Sequence, residues 1–199
     1  MELALLVKDS WKIFMTTDHP NGGPFTSYPR IIAWLMSRKA RQAALRRLNL
    51  RAQTKSLLPS INREMSFYEI ATVTRAGQAR ALGLAQKGHL GVGADGDIAI
   101  YNINPEKTDP SRKFKTVRKA FRSAAFTIKD GRVVVKNGEV LKHVEGRTMW
   151  LDVQVSEQHG IRDDLKQNFK EYWTVEYENY AVGEDCLAAS LPMTVRARV

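Results

Sequence analysis

The sequence predicts an α+β fold, and three observations carry that expectation. An apolar, β-branched run at residues 11–17 passes through a loop rich in Pro, Asn and Gly into a helical pattern. A Ser-x-x-Glu capping-box pattern opens a second helix at Ser66. Beyond residue 88, short β-branched runs are joined by Asp-Gly and Asn-Gly, which are strong hairpin signals.

Taken in order, residues 11–17 read as a short buried strand that stops at the loop 18–24. Pro29 sits just inside the next helix start, with Ser27 as its N-cap. From Arg30 to about Leu50 the apolar residues Ile31, Ile32, Leu35, Ala43, Ala44 and Leu48 recur at helical steps, with Arg and Lys on the other face. Residues 1–60 are thus one strand, loop and helix. A helical connection, 61–87, follows, capped by Ser66 and closed by Gly83. Residues 88–150 form a small antiparallel β-domain with strands at 97–103, 124–128, 132–135 and 139–141, and a polar loop at 104–113. Residues 151–199 are a C-terminal extension with an amphipathic helix at 163–173 and an edge-strand pattern at 193–199.

The chain has 199 residues, 43% hydrophobic and 26% charged, so it can bury a core and is not a disordered tail. No apolar run reaches the ~18–20 residues that a membrane span needs. The single cysteine, Cys186, excludes an internal disulfide and any cysteine-based zinc or iron–sulfur site made by this chain alone. A reducing, cytoplasmic setting is the expectation. The net charge of +10 is uneven: residues 19–63 carry nine basic groups and no acid, 112–150 carry +8, and 151–199 carry −4. Such blocks imply contact surfaces of opposite sign.

Chemistry concentrates at Asp18, His19, Pro20 and Asn21. A carboxylate that ends an apolar run and opens a loop stands where barrel enzymes present catalytic groups. It can bind a metal or take a proton. The same residues also suit an Asx turn, with Asp18 capping the loop and His19 in solvent. Residues 88–96 are glycine-rich but follow a helix and open a strand, the reverse of a dinucleotide fingerprint. Asp95 and Asp97 are too few for a calcium loop, which needs about six oxygen ligands. The basic block 30–63 reads as a solvated helix face or a docking surface. It lacks the interleaved aromatics of a nucleic-acid platform. The aromatic and acidic stretch 169–180 reads as packing or as a partner site, Cys186 as a small buried residue, and His89, His143 and His159 as structural or solvated.

At Asp18-His19-Pro20-Asn21, with Gly22-Gly23-Pro24-Phe25-Thr26-Ser27-Tyr28-Pro29-Arg30-Ile31-Ile32-Ala33-Trp34-Leu35-Met36-Ser37 after them, the sequence resembles the amidohydrolase component of formylmethanofuran dehydrogenase. Members of that family are metal-dependent amidohydrolases related to dihydroorotases and hydantoinases. Residues 71–84 resemble the family's late helix, and 87–100 with the hairpin at 129–135 resemble the return into its β-domain. The resemblance covers most of residues 9–150. It implies that residues 1–60 are the last β/α unit of an amidohydrolase TIM barrel, with Asp18 at the end of the eighth strand. There Asp18 would be a zinc ligand and catalytic proton shuttle, with His19 and Asn21 bordering the substrate. The family holds two zinc ions, which also require a His-x-His pair, a carboxylated lysine and two further histidines. This chain has no His-x-His.

The resemblance therefore implies the C-terminal portion of such a component, with Met1 internal and no activity alone. The complete enzyme would interconvert N-formylmethanofuran with formate and methanofuran through attack of zinc-bound hydroxide on the formyl carbon. Its partners would be the molybdenum or tungsten and iron–sulfur subunits of formylmethanofuran dehydrogenase. Two other readings are a non-catalytic scaffold or docking subunit of that complex, and a basic nucleic-acid-binding module. The last requires affinity that falls steeply with salt.

Overall fold

The computed structural model describes residues 1–16, 18–146, 149–154, 160–180 and 191–196. They divide into two compact units, Met1–Val144 and Glu145–Val199. The architecture is α+β.

The first unit begins with helix α1 (Glu2–Leu6) and a 3-10 turn, Ser10–Lys12, opened by the Asp9 carboxylate accepting the Trp11 N–H at 3.0 Å. The run expected as a buried strand is therefore a turn followed by an extended segment, 13–16, that belongs to no sheet. Its β-branched composition gives the extended backbone, but among the described residues no neighbouring strand lies beside it. Ile13 and Met15 are half-buried against the core, while Phe14 and Thr16 are exposed. Thr17 lies outside the described residues.

Helix α2 (Tyr28–Met36) starts with Pro29 in its first turn, as expected, but the Ser27 side chain makes no capping bond. The single long helix expected from 30 to about 50 is instead two, with a third starting at its end. Ser37 is extended (φ −145°, ψ 116°), and its hydroxyl accepts the Ala40 N–H at 3.1 Å to start α3 (Arg38–Leu45). That hydroxyl also donates to the Ser111 carbonyl at 2.8 Å. A serine that can bond nearby backbone in this way offers the chain an alternative to continuing the helix. Asn49 then caps α4 (Leu50–Lys55) through the Ala52 N–H, 2.8 Å from its side-chain oxygen.

The capping box is present at α5 (Phe67–Ala71). Ser66 Oγ accepts the Glu69 N–H at 3.2 Å, and Glu69 Oε2 accepts the Ser66 N–H at 2.9 Å. A π turn, Thr72–Ala76, joins α5 to α6 (Gly77–Ala81), and Gly83 leaves the helix at φ 70°. In the π turn the Gly77 N–H bonds Thr72 O. The Val73 carbonyl instead accepts the Met15 N–H at 2.8 Å and Gln78 Nε2 at 2.7 Å. Helix α7 (Phe114–Ala120), absent from the sequence-based expectation, packs on α2 with Val117 fully buried. Leu5, Ile32, Leu35, Met36, Met65, Ile70 and Val73 complete the core around it.

Four antiparallel strands follow the order β1-β2-β3-β4: Ile98–Ile100, Phe126–Lys129, Arg132–Lys136 and Glu139–Val140. Both expected hairpin turns are formed. Asp130 and Gly131 (φ 49° and 74°), and Asn137 and Gly138 (φ 50° and 88°), all take positive φ, as a type I′ turn requires. Gly96 lies so close to the first turn that a Cβ there would sit 2.7 Å from Gly131 N.

In the second unit, β5 (Met149–Gln154) pairs in parallel with β6 (Leu191–Arg196), and Met149 lies opposite Leu191. The expected amphipathic helix is α8 (Ile161–Asn168), continued by a π turn, Phe169–Trp173. The Phe169 ring lies 4.9 Å from Trp173 and 5.3 Å, edge-on, from Tyr177, while Tyr172 and Trp173 stay exposed. His159, Cys186 and residues 197–199 lie outside the described residues.

Candidate active-site loop

The extended segment 13–16 leads to the loop that carries the residues singled out in the sequence. The Met15 N–H bond to Val73 O fixes its approach. Asp18 then closes the loop on itself. Its backbone carbonyl accepts the N–H groups of Gly22 and Gly23 at 2.9 and 3.1 Å, and its carboxylate Oδ2 accepts the Gly22 N–H at 3.1 Å. Asp18 thus caps its own loop, though over four residues rather than the two of an Asx turn, with the side chain exposed and in no ion pair among the described residues. Gly22 is required by proximity: a Cβ there would stand 2.7 Å from Asp18 Oδ2.

His19 and Asn21 are exposed on the same loop. The imidazole of His19 packs on Phe25 with ring centroids 4.6 Å apart at 57°. Among the described residues, no hydrogen bond joins the side chains of Asp18, His19 and Asn21. His89 has a structural place, since its Nδ1 accepts the Gly91 N–H at 3.1 Å. Its Nε2 therefore carries the proton and donates to Ala85 O at 2.8 Å.

Among the described residues, one group of three acidic side chains gathers ligand atoms closely: Asp95, Asp97 and Asp130, within 4.8 Å of one another. Two ammonium groups already occupy it. Lys87 Nζ lies 2.6 Å from both Asp95 and Asp97, and Lys129 Nζ lies 3.0 Å from Asp97 and 2.8 Å from Asp130. Burial disfavours the charged form of Asp97, but Lys87, the Asp130 N–H and Lys129 outweigh it and hold this carboxyl well below the usual carboxylate range. The arrangement is an ion-pair lock between residue 87, the segment leading into β1 and the first hairpin.

Among the described residues Asp18 belongs to no such group. A catalytic zinc takes about three protein ligands, so the described residues around Asp18 do not fit a zinc ion by themselves.

Two basic residues have roles that sequence reasoning missed. Arg41, 1% exposed, donates to the carbonyls of Trp34, Ile61 and Arg63 at 2.7, 3.0 and 2.9 Å. Arg63 donates to carbonyls of the 4–8 segment and pairs with Glu69 at 2.6 Å. Neither sits on the solvated face expected of the basic block, and no local pattern distinguishes them from its other cations.

The chain belongs to the amidohydrolase family, whose model matches residues 2–135. Over 178 residues it is 49% identical to Protein FwdA of Methanocaldococcus jannaschii, an alignment that covers 87% of this chain and 31% of that protein. Over 154 residues it is 42% identical to FhcA, a component of the formyltransferase/hydrolase complex Fhc of Methylorubrum extorquens, covering 77% of this chain and 26% of that one. Its fold matches a chain in the crystal structure of the formyltransferase/hydrolase complex FhcABCD from Methylorubrum extorquens in complex with methylofuran. The TM-score is 0.71 and the identity 34%, with 98% of this chain and 34% of that chain covered. The resemblance read from the sequence is thus borne out. The chain spans about a third or less of the length of the relatives it matches. Among the described residues, no helix is long and apolar enough to cross a membrane.

Proposed function

We propose that this chain is the C-terminal portion of an amidohydrolase like the FwdA component of formylmethanofuran dehydrogenase, and that Asp18 is the proton-transfer group it brings to the reaction. The complete enzyme interconverts N-formylmethanofuran with formate and methanofuran. The observation that carries the reading is the exposed carboxylate of Asp18, held by the Gly22 N–H at the end of an anchored extended segment. Similarity to FwdA and FhcA supports the substrate class.

In the hydrolytic direction water adds to the formyl carbon, the C–N bond breaks, and formate and a free amine leave. Asp18 takes the proton that the water gives up and returns it to the departing nitrogen. Its Oδ2 is oriented by Gly22, which leaves Oδ1 to carry the proton. His19, braced on Phe25, and Asn21 border the furan-bearing substrate. Zinc is the metal of this reading, and ligands additional to Asp18 come from outside the described residues. Residues 1–60 are then the closing β/α unit of a barrel, 61–87 a connection, 88–150 the β-domain and 151–199 an extension, in a cytoplasmic complex with the other subunits.

The test is Asp18→Asn in the complete hydrolase, assayed for release of formate from the formamide. The expected loss in kcat is about 10²–10⁴-fold, with an unchanged circular-dichroism spectrum. Parental activity overturns the assignment.

A further inference from the structure

We propose that the groove between α2, α3 and α7 is a docking site for an acidic amphipathic helix of a partner polypeptide. The groove has a volume of about 1100 Å³. Seven cationic side chains line it and no carboxylate does. Six of the seven, Arg30, Arg47, Lys115, Arg118, Lys119 and Arg122, are exposed around the rim. None of these six pairs with a carboxylate among the described residues. Concentrating like charges in this way opposes folding by self-repulsion, and no carboxylate among the described groove residues relieves it.

Between the cations the floor is apolar, formed by Ala33, Ala40, Ala44, Leu45 and Leu58 with the half-buried rings of Trp34 and Phe114. The two basic blocks meet here because α7 packs on α2, although the sequence separates them widely. Small residues at the bottom and cations at the rim complement a helix that presents aliphatic side chains inward and carboxylates outward. A helix about 10 Å across would fill this volume with roughly two to three turns. Single-stranded nucleic acid is the less suitable occupant. It stacks its bases on exposed aromatic rings, and Trp34 and Phe114 are sunk into the floor. This inference stands apart from the role of Asp18, because it concerns binding without turnover.

The experiment uses the 199-residue chain and a fluorescently labelled synthetic helix of Leu, Ala and Glu, with Leu at i, i+3, i+4 and i+7, Glu on the opposite face and Ala between. Anisotropy titration at near-physiological salt reads the affinity. Binding is expected to weaken by about tenfold or more in Arg118→Glu/Arg122→Glu and in Leu48→Glu. All three side chains are exposed, and melting curves verify that the variants fold. A scrambled peptide of the same composition is also expected to bind about tenfold less tightly. The proposal is overturned if the scrambled peptide binds equally well, if either variant binds like the parent, or if a single-stranded oligonucleotide binds more tightly than the peptide.

Discussion

At the scale of single residues, a missing methyl group sets the direction of Asp18. Alanine at position 22 would place its Cβ 2.7 Å from Asp18 Oδ2 and push the carboxylate off the Gly22 N–H. In the complete hydrolase, Gly22→Ala is expected to lower kcat toward the level of Asp18→Asn. Stability should change by no more than about 0.5 kcal/mol, as for most exposed positions, so parallel kinetics and melting separate the two effects. Asp18, His19 and Asn21 were legible in the sequence because a loop motif is local. The need for Gly22 was not legible, since it depends on where a carboxylate swings four residues earlier. Arg41 was hidden for a different reason. An arginine in a basic helix reads as solvated, and only the fold reveals that its guanidinium is buried on three backbone carbonyls.

At the scale of elements, what the sequence revealed is what neighbouring residues decide. The capping box at Ser66 and both I′ hairpin turns formed where their patterns stand. Ser66→Ala is expected to cost about 1 kcal/mol, measured as a lower denaturation midpoint. What the sequence concealed depends on contacts between distant segments. Residues 11–17 have strand composition, yet a strand requires a partner, and 13–16 bonds the π turn instead. The break at Ser37 is supported by the Ser111 carbonyl, far along the chain. Helix α7 does carry a local signal: Phe114, Val117 and Phe121 are spaced three and four residues apart on one face. It is short enough for the polar residues around it to mask the pattern.

At the scale of the whole molecule, two polar arrangements, one buried and one partly exposed, join segments that local structure leaves separate. Arg41 ties the end of α2 to residues 61 and 63, so Arg41→Met strips three carbonyls of their donor. The expected cost is about 3 kcal/mol or more, read by chemical denaturation. The lock of Lys87, Asp97 and Lys129 makes stability depend on pH. Asp97 has a depressed folded pKa, so its contribution is complete above the unfolded value near 3.9 and is lost as pH falls further. Asp95 and then Asp97 raise the Lys87 pKa, and Asp130 and then Asp97 raise that of Lys129. The lysine contribution is complete below about pH 10.4 and is lost as pH rises through the folded values. Asp97→Asn is expected to lower stability at neutral pH by about 1–2 kcal/mol and to flatten the acid limb of a plot of melting temperature against pH. The wide turn at 72–76 reaches further than its own helix. By leaving one carbonyl uncommitted, it moors the approach to Asp18. Removing one residue there to restore regular α-helix would return that carbonyl to the helix ladder and cost the loop its backbone tie at Met15.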